Sequence, residues 1–281
     1  MKFGRFEVST HNFGFFRLDG GSMFGAVPKN IWSKLQPGDE DNCIKLATRS
    51  LLIKDGARTF LVDLGCGEKW SDKERKIFAI NNFPVSELGF EPASVTDVIL
   101  THMHFDHCGG ISRWKDPNAP AGEREIIPNY PNATHYIQEG NLEIAKNPCV
   151  REKASYLKDN VNALELVKTI KTKGSQEIHP GIWVHEANGH TTGQQWIEVS
   201  DGTRSIVYPT DLIPTTGHVP VPYHMGYDMW AYRILVEKED FLAKAMAKDS
   251  IVVFQHDPLI AAATITKDQR GHYAIKETLS F

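Results

Sequence analysis

The sequence has few cysteines, no long apolar run and no large excess of either charge. Only 4 of its 281 residues are cysteine, too widely spaced for a zinc ribbon or a disulfide framework, which excludes a small disulfide-stapled protein. No run of 18 or more apolar residues occurs, so no transmembrane helix is expected. The net charge of −4, from 31 basic and 35 acidic residues, argues against a nucleic-acid partner.

What remains is the composition of an ordinary globular protein, with 41% hydrophobic and 23% charged residues. The basic residues near the N-terminus are not followed by an apolar stretch, so we expect no secretory leader and a cytoplasmic location. A chain of this length can bury a large core without disulfides. We expect one domain over residues 1–281 that does not bind membranes, and leave open whether it forms a homodimer.

Apolar runs and turn signals predict mixed strands and helices in both halves of the chain. Asp55-Gly56 between apolar runs predicts a β-hairpin of Ile44–Ile53 with Arg58–Leu64. Ser71 with Glu74 predicts a helix start by a capping box. Further strands are predicted at Val95–Leu100, Ala133–Ile137, Ile182–His185, Trp196–Val199, Ser205–Tyr208 and Ile251–Phe254, and helices at Ser71–Ile80, Glu139–Lys146, Glu152–Ile170 and Glu239–Lys248. This order favours sheets covered by helices, in an α+β or α/β protein.

The most informative segment is Thr101–Gly110, in which three histidines and an aspartate fall within six positions: His102, His104, Asp106 and His107. In an extended segment the first two of these side chains point to the same side. Imidazole and carboxylate are ligands for zinc, manganese, iron or cobalt. Four such ligands are too many for one open catalytic ion and suit two adjacent ions. Isolated histidines elsewhere are better interpreted as structural.

Three more candidate ligands follow predicted strands. His190 lies between glycines after the strand Ile182–His185, Asp211 follows Ser205–Tyr208, and His256 follows Ile251–Phe254. Loops at strand ends carry much of the chemistry of rigid scaffolds. Each is weak evidence alone, but with the first segment they complete a set of seven ligands.

In this order, H-x-H-x-D-H, G-H-T, aspartate and histidine, the sequence resembles the metallo-β-lactamase superfamily from Ile44 to His256. Residues 63–67 are similar to the D-T-G-x-G turn of that superfamily. The resemblance implies an α+β fold, a four-layer αββα sandwich. It implies two divalent ions, with zinc expected and manganese, iron or cobalt as alternatives. The ligand sets it implies are His102, His104 and His190 for one ion, Asp106, His107 and His256 for the other, and Asp211 as the bridge.

The resemblance also implies a hydrolytic mechanism, in which a hydroxide bridging the two ions attacks an ester or lactone carbonyl. Asp106 is the expected catalytic residue, because it would hydrogen-bond the hydroxide and then deliver a proton to the leaving alkoxide. An aspartate rather than a cysteine at the bridging position argues against a true β-lactamase. The expected partner is therefore a small-molecule ester or lactone.

A narrower resemblance lies in residues 18–29, which are similar to the opening of the lactonases that hydrolyse N-acyl-homoserine lactones. There Met23 and Phe24 would line the acyl side of the site; the alternative is a core strand and turn. Several of these lactonases have a tyrosine three residues after the bridging aspartate, where this sequence has Pro214. Tyr223, or else Tyr227, is the candidate replacement.

Four rival activities stay open. A phosphotriester or aryl-ester hydrolase would use the same ligands, as would a glyoxalase II-like thioesterase. The thioesterases add a C-terminal glutathione-binding domain, and only a short tail follows His256 here. An RNA-processing nuclease of the superfamily predicts basic strips that the sequence lacks. A diiron redox protein would require a flavin domain or partner.

Overall fold

The computed structural model describes residues 1–84, 87–120 and 122–281 and divides into two compact units. Unit 1 comprises Met1–Gly14 and Thr48–Lys173, and unit 2 comprises Phe15–Ala47 and Gly174–Phe281. The prediction of a single domain over residues 1–281 stays a prediction.

The elements are numbered in chain order within the described residues. The strands are β1 Lys2–Phe3, β2 Phe6–Asp19, β3 Cys43–Asp55, β4 Arg58–Val62, β5 Asn81–Asn82, β6 Asp97–Ile99, β7 Ser112–Trp114, β8 Ile126–Pro128, β9 Thr134–Gln138, β10 Lys168–Thr172, β11 Gln176–His179, β12 Ile182–Ala187, β13 Gln194–Ser200, β14 Ser205–Tyr208, β15 Ile251–Val253, β16 Ala262–Lys267 and β17 Tyr273–Leu279. The α-helices are α1 Gly20–Phe24, α2 Lys29–Trp32, α3 Asp72–Ile77, α4 Phe105–Cys108, α5 Glu139–Lys146, α6 Lys158–Ala163 and α7 Ala231–Ala247.

The main sheet of unit 1 contains a block of parallel strands. Its strand order is β1-β2-β3-β4-β6-β9-β10, with β5 paired to β2. β4, β6, β9 and β10 pair in parallel, and Val62 at the end of β4 lies opposite Ile99 at the end of β6. The carboxyl ends of parallel strands meet at one edge of a sheet, where α/β proteins bind ligands. The residues that follow β4 and β6, Asp63 and Thr101, are therefore neighbours.

The sheet of unit 2 has the order β11-β12-β13-β14-β15-β16-β17. Its neighbours pair antiparallel except for β14 and β15, which are parallel with Val207 opposite Val252. The segments after β14 and β15 therefore leave the sheet at the same edge. Helix α7 buries one stripe against this sheet, in a core that includes Ile234, Phe241 and Leu242.

Several sequence predictions are confirmed. β3 and β4 form the predicted hairpin, with Asp55 opposite Arg58 and Gly56 at φ +59° in the turn. The capping box of α3 is present, since Ser71 and Glu74 each accept a hydrogen bond from the backbone N–H of the other. Helix α5 and strand β14 have the predicted bounds. The predicted helix Glu239–Lys248 is the last part of the longer α7.

The predicted helix over Glu152–Ile170 is wrong. The segment forms turns, the short helix α6, a 3₁₀ turn at Leu164–Leu166 and strand β10. Lys168 to Thr172 pair in parallel with Thr134 to Gln138 of β9. The charge spacing favoured a helix, but the β-branched residues at its end gain a strand partner that is remote in sequence. Tertiary pairing therefore outweighed the local pattern.

Among the described residues, no helix is both long enough and apolar enough to cross a membrane.

Candidate metal centre

The first ligand set, His102, His104, Asp106 and His107, lies in unit 1 just after β6. All four residues are buried, and at most 8% of any of them is exposed. One ligand atom of His102 lies within 4.8 Å of one of His104, and the same holds for Asp106 and His107. The rings of His102 and His107 have centroids 3.9 Å apart. The loop therefore gathers its imidazoles in a small buried volume.

Asp63, the residue after β4, orients this set. Its carboxylate accepts hydrogen bonds from the backbone N–H of Thr101 at 2.8 Å and from the Thr101 hydroxyl at 2.7 Å. Nδ1 of His107 lies 3.0 Å from the same carboxylate. A carboxylate on Nδ1 fixes the tautomer that leaves the Nε2 lone pair for a metal ion. Asp63 has φ +57°, a costly conformation for a residue other than glycine and one found often at functional sites.

Two glycine turns bring the ligand loop against the turn after Asp63. Any Cβ at Gly109 would clash with the carbonyl oxygen of Cys66, and any Cβ at Gly67 would clash with that of Gly109. Lys69 fastens the same turn by donating to the carbonyls of Gly109 at 3.0 Å and Ser112 at 2.7 Å. Burial lowers the pKa of Lys69 to about 8. The close approach of two backbones thus requires glycine at both positions.

The cysteine beside the histidine segment is inert. Cys108 is fully buried, and its thiol donates to the carbonyl of Met103 at 3.2 Å. Burial raises the pKa of this thiol, which keeps it protonated at neutral pH. The described cysteines are all free, as expected for structural thiols.

Aromatic and acidic side chains flank the first ligand set within unit 1. Phe105, between two ligands in sequence, packs edge-on against Trp70 with centroids 5.1 Å apart and contacts Phe78 at 5.4 Å. We call these three residues the aromatic cluster. On another side, Nε2 of His104 lies 3.8 Å from the buried carboxylate of Glu152.

The second ligand set, His190, Asp211 and His256, lies in unit 2 at the edge where β14 and β15 end. All three residues are buried. Nε2 of His190 lies 3.2 Å from Oδ2 of Asp211, and Nε2 of His256 lies 3.0 Å from Oδ1. Asp211 thus stands between the two imidazoles, with one carboxylate oxygen towards each. Thr210, directly before it, has φ +51°, a second costly backbone conformation at a strand end.

Both imidazoles of the second set are held through Nδ1. Nδ1 of His190 is 2.9 Å from Oδ1 of Asp228, and Nδ1 of His256 donates to the carbonyl of Ala47 at 2.7 Å. Burial alone would raise the pKa of Asp228, but hydrogen bonds from His190 and His224 outweigh it, and the pKa is lowered. The carboxylate therefore stays ionised beside His190.

The backbone around His190 is fixed by helix α7. Glu237 accepts hydrogen bonds from the N–H groups of Asn188 at 2.9 Å and Gly189 at 2.8 Å. A Cβ at Gly189 would lie 2.5 Å from Cα of Ile234, so the loop and the helix are in direct backbone contact. The glycine before His190, Gly189, is required by this packing.

The donor chemistry of both sets suits transition-metal ions. Imidazole nitrogen and carboxylate oxygen are ligands that zinc, manganese, iron and cobalt accept. His107, His190 and His256 each have Nδ1 bound by an oxygen, which favours Nε2 as the ligand atom, as in metal sites generally. The residues present therefore fit bound ions. The assignment of the seven residues to two ions stays a prediction.

The predicted substrate contacts lie in unit 2. Met23 and Phe24 belong to α1 and are 2% and 0% exposed. Phe24 stacks between Trp32 and His218, at centroid distances of 5.7 and 4.4 Å. This burial favours the alternative of a core position, and their role as substrate contacts stays a prediction.

The tyrosines and Pro214 have different surroundings. Tyr223 is partly exposed and Tyr227 is 39% exposed, so both have accessible side-chain surface. Pro214 is buried, and its carbonyl accepts from the N–H of His256 at 2.9 Å. The proline thus supports a ligand backbone where several lactonases have a tyrosine.

Sequence reasoning missed the residues that orient the ligands. Asp63 entered only as part of a turn motif, and Asp228, Glu237 and Ala47 were not singled out. An acidic residue directly after a strand was a usable signal for Asp63. No sequence signal pointed to Asp228 or to the Ala47 carbonyl, because each is far in sequence from the histidine it binds.

Solved structures share this fold. A structure described as a "probable metal-dependent hydrolase" from Staphylococcus aureus superposes with a TM-score of 0.86 and 28% identity, covering 100% of both chains. AidC, described as a dizinc quorum-quenching lactonase in complex with a product, superposes with a TM-score of 0.77 at 18% identity, covering 100% of this chain and 97% of its own. At that identity the second likeness shows the fold alone.

Curated relatives include lactonases. The N-acyl homoserine lactonase AttM of Agrobacterium fabrum is 36% identical over 181 residues, 62% of this chain and 62% of the relative. The AttM protein of Rhizobium radiobacter is 26% identical over the same shares. The chain thus spans less than two thirds of the length of these relatives.

The model of the metallo-beta-lactamase superfamily matches residues 44–256, more than half of the chain. The match begins in β3 and ends on His256, so it includes every member of both ligand sets. The expected α+β fold of the metallo-β-lactamase type is confirmed by this match and by the S. aureus structure. The chain therefore belongs to the metallo-beta-lactamase superfamily.

Proposed function

We propose that this hydrolase opens the lactone ring of N-acyl homoserine lactones with the help of two divalent metal ions. The observation that carries the proposal is the orientation of the ligands: in each unit, buried imidazoles have Nδ1 bound by an oxygen, which favours Nε2 as the ligand atom. The lactonase relatives from Agrobacterium fabrum and Rhizobium radiobacter support the choice of substrate.

In this proposal the two ligand sets serve the same pair of ions. His102, His104 and His190 would hold one ion, Asp106, His107 and His256 would hold the other, and Asp211 would be the ligand shared by both. The arrangement of Asp211 in unit 2 supports the bridging role, since its two oxygens face two different imidazoles. Zinc is the proposed metal, because the nitrogen-rich donor set suits it.

The ions, when bound, supply an activated water and polarise the carbonyl of the substrate. Asp106 accepts a proton from the attacking water and passes it to the alkoxide that leaves when the ring opens. Asp63 and Asp228 keep the imidazoles of His107 and His190 in the ligating tautomer. The buried surroundings of Asp106 exclude bulk water from this proton transfer.

The aromatic cluster of unit 1 supports the proposal that the substrate carries an apolar acyl group. Phe105 stands between the ligands His104 and Asp106 in sequence and packs against Trp70 and Phe78. Apolar surface beside the reacting carbonyl favours a substrate with a hydrocarbon chain, because each buried CH₂ is worth about 0.8 kcal/mol. Tyr223 is the proposed hydrogen-bond partner of the lactone, in place of the tyrosine absent at Pro214.

A second candidate is a phosphotriester or aryl-ester hydrolase. Pro214 favours it, since a site without the tyrosine of several lactonases holds a lactone carbonyl less specifically. The same ligand sets and proton transfer would serve this reaction.

A substrate series tests the proposal. We expect kcat/KM on homoserine lactones to rise with acyl-chain length and to exceed kcat/KM on a phosphotriester and on a glutathione thioester. Elemental analysis of the same preparation should give about two transition-metal ions per chain. Much faster turnover of the phosphotriester or thioester would reject the lactone while keeping the metal-dependent hydrolase. One ion per chain, unchanged by added zinc, would reject the dinuclear site.

The Asp106→Asn variant tests the proton transfer. It keeps the side-chain size but removes the base, so kcat should fall on the order of 10²-fold or more. Metal content is measured on the same sample, so that loss of an ion is not mistaken for loss of the base. Full activity in this variant would reject the catalytic role of Asp106.

A further inference from the structure

Helix α7 carries a lysine on its buried stripe. The buried residues of this helix are Ile234, Lys238, Phe241, Leu242 and Ala245, so the lysine occupies a position where an apolar side chain is normal. Only 1% of Lys238 is exposed. Burial lowers the pKa of Lys238 to about 7. A cation kept in the core costs stability unless specific partners compensate it.

The partners are three backbone carbonyls in one short segment. Nζ of Lys238 donates to the carbonyls of Pro220 at 3.0 Å, Val221 at 3.4 Å and Tyr223 at 2.6 Å. An ammonium group has three donors, and here all three are used. Lys238 thus fastens residues 220–223 to the middle of helix α7.

The same segment leads directly to the carboxylate that orients His190. The N–H of Met225 donates to Oδ2 of Asp228 at 2.8 Å, and Nδ1 of His224 lies 3.3 Å from the same oxygen. The other oxygen, Oδ1, is 2.9 Å from Nδ1 of His190. Only 5% of Asp228 is exposed. The direction of this carboxylate therefore depends on the turn at residues 223–228.

The backbone of the His190 loop has anchors of its own. Glu237 accepts from the two N–H groups before His190, and the N–H of Met229 donates to the His190 carbonyl at 3.0 Å. Loss of Lys238 would leave the Glu237 anchor in place and act on the segment that carries Asp228. Its effect is therefore on the direction of the imidazole more than on the position of the loop.

We propose that Lys238 is a positioning residue for the metal ligand His190, acting through residues 220–228 and Asp228. The proposal rests on the proposed function only in taking His190 as a metal ligand. Lys238 is distant in sequence from every predicted ligand, and its role is to keep Nε2 of His190 directed at the ion. Substitutions of residues that orient a metal ligand typically weaken metal affinity 10- to 100-fold.

The test compares Lys238→Met with Lys244→Met. Methionine is unbranched and apolar, so it can stay on the buried stripe without donating. Lys244 lies on the same helix but is exposed and pairs with Asp240, so Lys244→Met is the matched control. Zinc affinity is measured by competition with a chelator. We expect about 10-fold weaker zinc binding in Lys238→Met and no change in Lys244→Met. Unchanged zinc affinity in a folded Lys238→Met protein would overturn the proposal.

A double-mutant cycle separates positioning from general destabilisation. If Lys238 acts through Asp228, the protein with both Lys238→Met and Asp228→Asn should bind zinc no more weakly than the one with Asp228→Asn alone. Additive losses would reject the route through Asp228. If Lys238→Met does not fold, Lys238→Gln, which keeps two donors, takes its place in the cycle with the same two outcomes.

The measurement of zinc affinity also distinguishes a failure of this proposal from a failure of the proposed lactone substrate. Zinc affinity requires no lactone, so a protein that binds zinc but turns over no lactone rejects the substrate and leaves the cycle to decide the role of Lys238. A wild-type protein that binds no zinc contradicts both proposals.

Discussion

The two units present metal-ligand candidates in opposite ways. In unit 1 all four lie within six consecutive residues after one strand, and Asp63 and the glycine turns hold them together. In unit 2 the three candidates follow three different strands and are oriented by Asp228 and the Ala47 carbonyl. The first set is thus a contiguous sequence motif. The residues of the second set are brought together only by pairing between distant strands. This difference predicts where each unit is sensitive to substitution.

Removal of one ligand from each unit has the largest expected effect. If the two sets serve the same ions, His102→Ala and His256→Ala should each lower kcat/KM by on the order of 10³-fold or more, because each removes a ligand of an ion that would activate the attacking water and polarise the substrate carbonyl. Metal content per chain should fall in both variants. A His256→Ala protein with full metal content and activity would show that His256 is not a metal ligand.

Glycine substitutions compare the backbone contacts of the two units. Gly109→Ala and Gly189→Ala should each lower the free energy of unfolding by roughly 2–4 kcal/mol, since the new methyl group meets backbone atoms that cannot move aside. Gly122, in unit 1, has nothing within 4 Å of its Cβ position and is the control. The measurement is denaturant unfolding at equilibrium. Equal stabilities for Gly109→Ala and Gly122→Ala would contradict the close approach of the two turns.

Substitution of the orienting carboxylates Asp63 and Asp228 compares how strongly zinc binding depends on each of them. Asp63→Asn and Asp228→Asn should each weaken zinc binding by about 10- to 100-fold, because an amide can present a donor to Nδ1 and favour the wrong tautomer. We expect the larger loss for Asp63→Asn, since Asp63 accepts from both the backbone and the hydroxyl of Thr101 as well as contacting His107. Chelator competition on both variants checks the order. The reverse order would mean that zinc binding by the ligand set of unit 2 depends more on its orienting carboxylate than zinc binding by the ligand set of unit 1.

The loss of folding stability at acid pH is the smallest expected effect. Each unit has a fully buried histidine outside the ligand sets, and burial lowers the pKa of His135 in unit 1 and of His218 in unit 2 to about 4. The unfolded chain then binds more protons than the folded one between pH 6.5 and 4. Stability is full above pH 6.5 and falls as the pH drops, by up to about 1.4 kcal/mol per pH unit for each histidine.

Replacement of His135 tests whether the free energy of unfolding falls with decreasing pH for this reason. The acid slope of the unfolding free energy should be smaller in His135→Leu than in the wild type between pH 6.5 and 4, while both slopes agree above pH 7. The difference between the two proteins removes the common contribution of the metal ligands. Identical slopes would mean that His135 is protonated in the folded protein.

The sequence by itself determined the features that depend on neighbours along the chain. The hairpin at Asp55-Gly56, the capping box at Ser71 and the helix Glu139–Lys146 follow from local conformational preference, and the structure has all three. The first ligand set belongs to the same class, because six consecutive residues carry it. The family could also be predicted from the sequence, since the order of the ligand types is recognisable even where the ligands are far apart in the chain.

Only the tertiary structure decided the features that depend on distant residues. The end of the predicted helix Glu152–Ile170 became strand β10 because β9 offered a parallel partner. Met23 and Phe24 are buried because Trp32 and His218 cover Phe24 and the fold encloses α1. Asp228 and Lys238 gain their roles from contacts across 38 and 15 residues of chain, with His190 and Tyr223. The physical reason is the same in each case: hydrogen bonds and burial between remote segments outweigh local preference, and no local pattern encodes which segments meet.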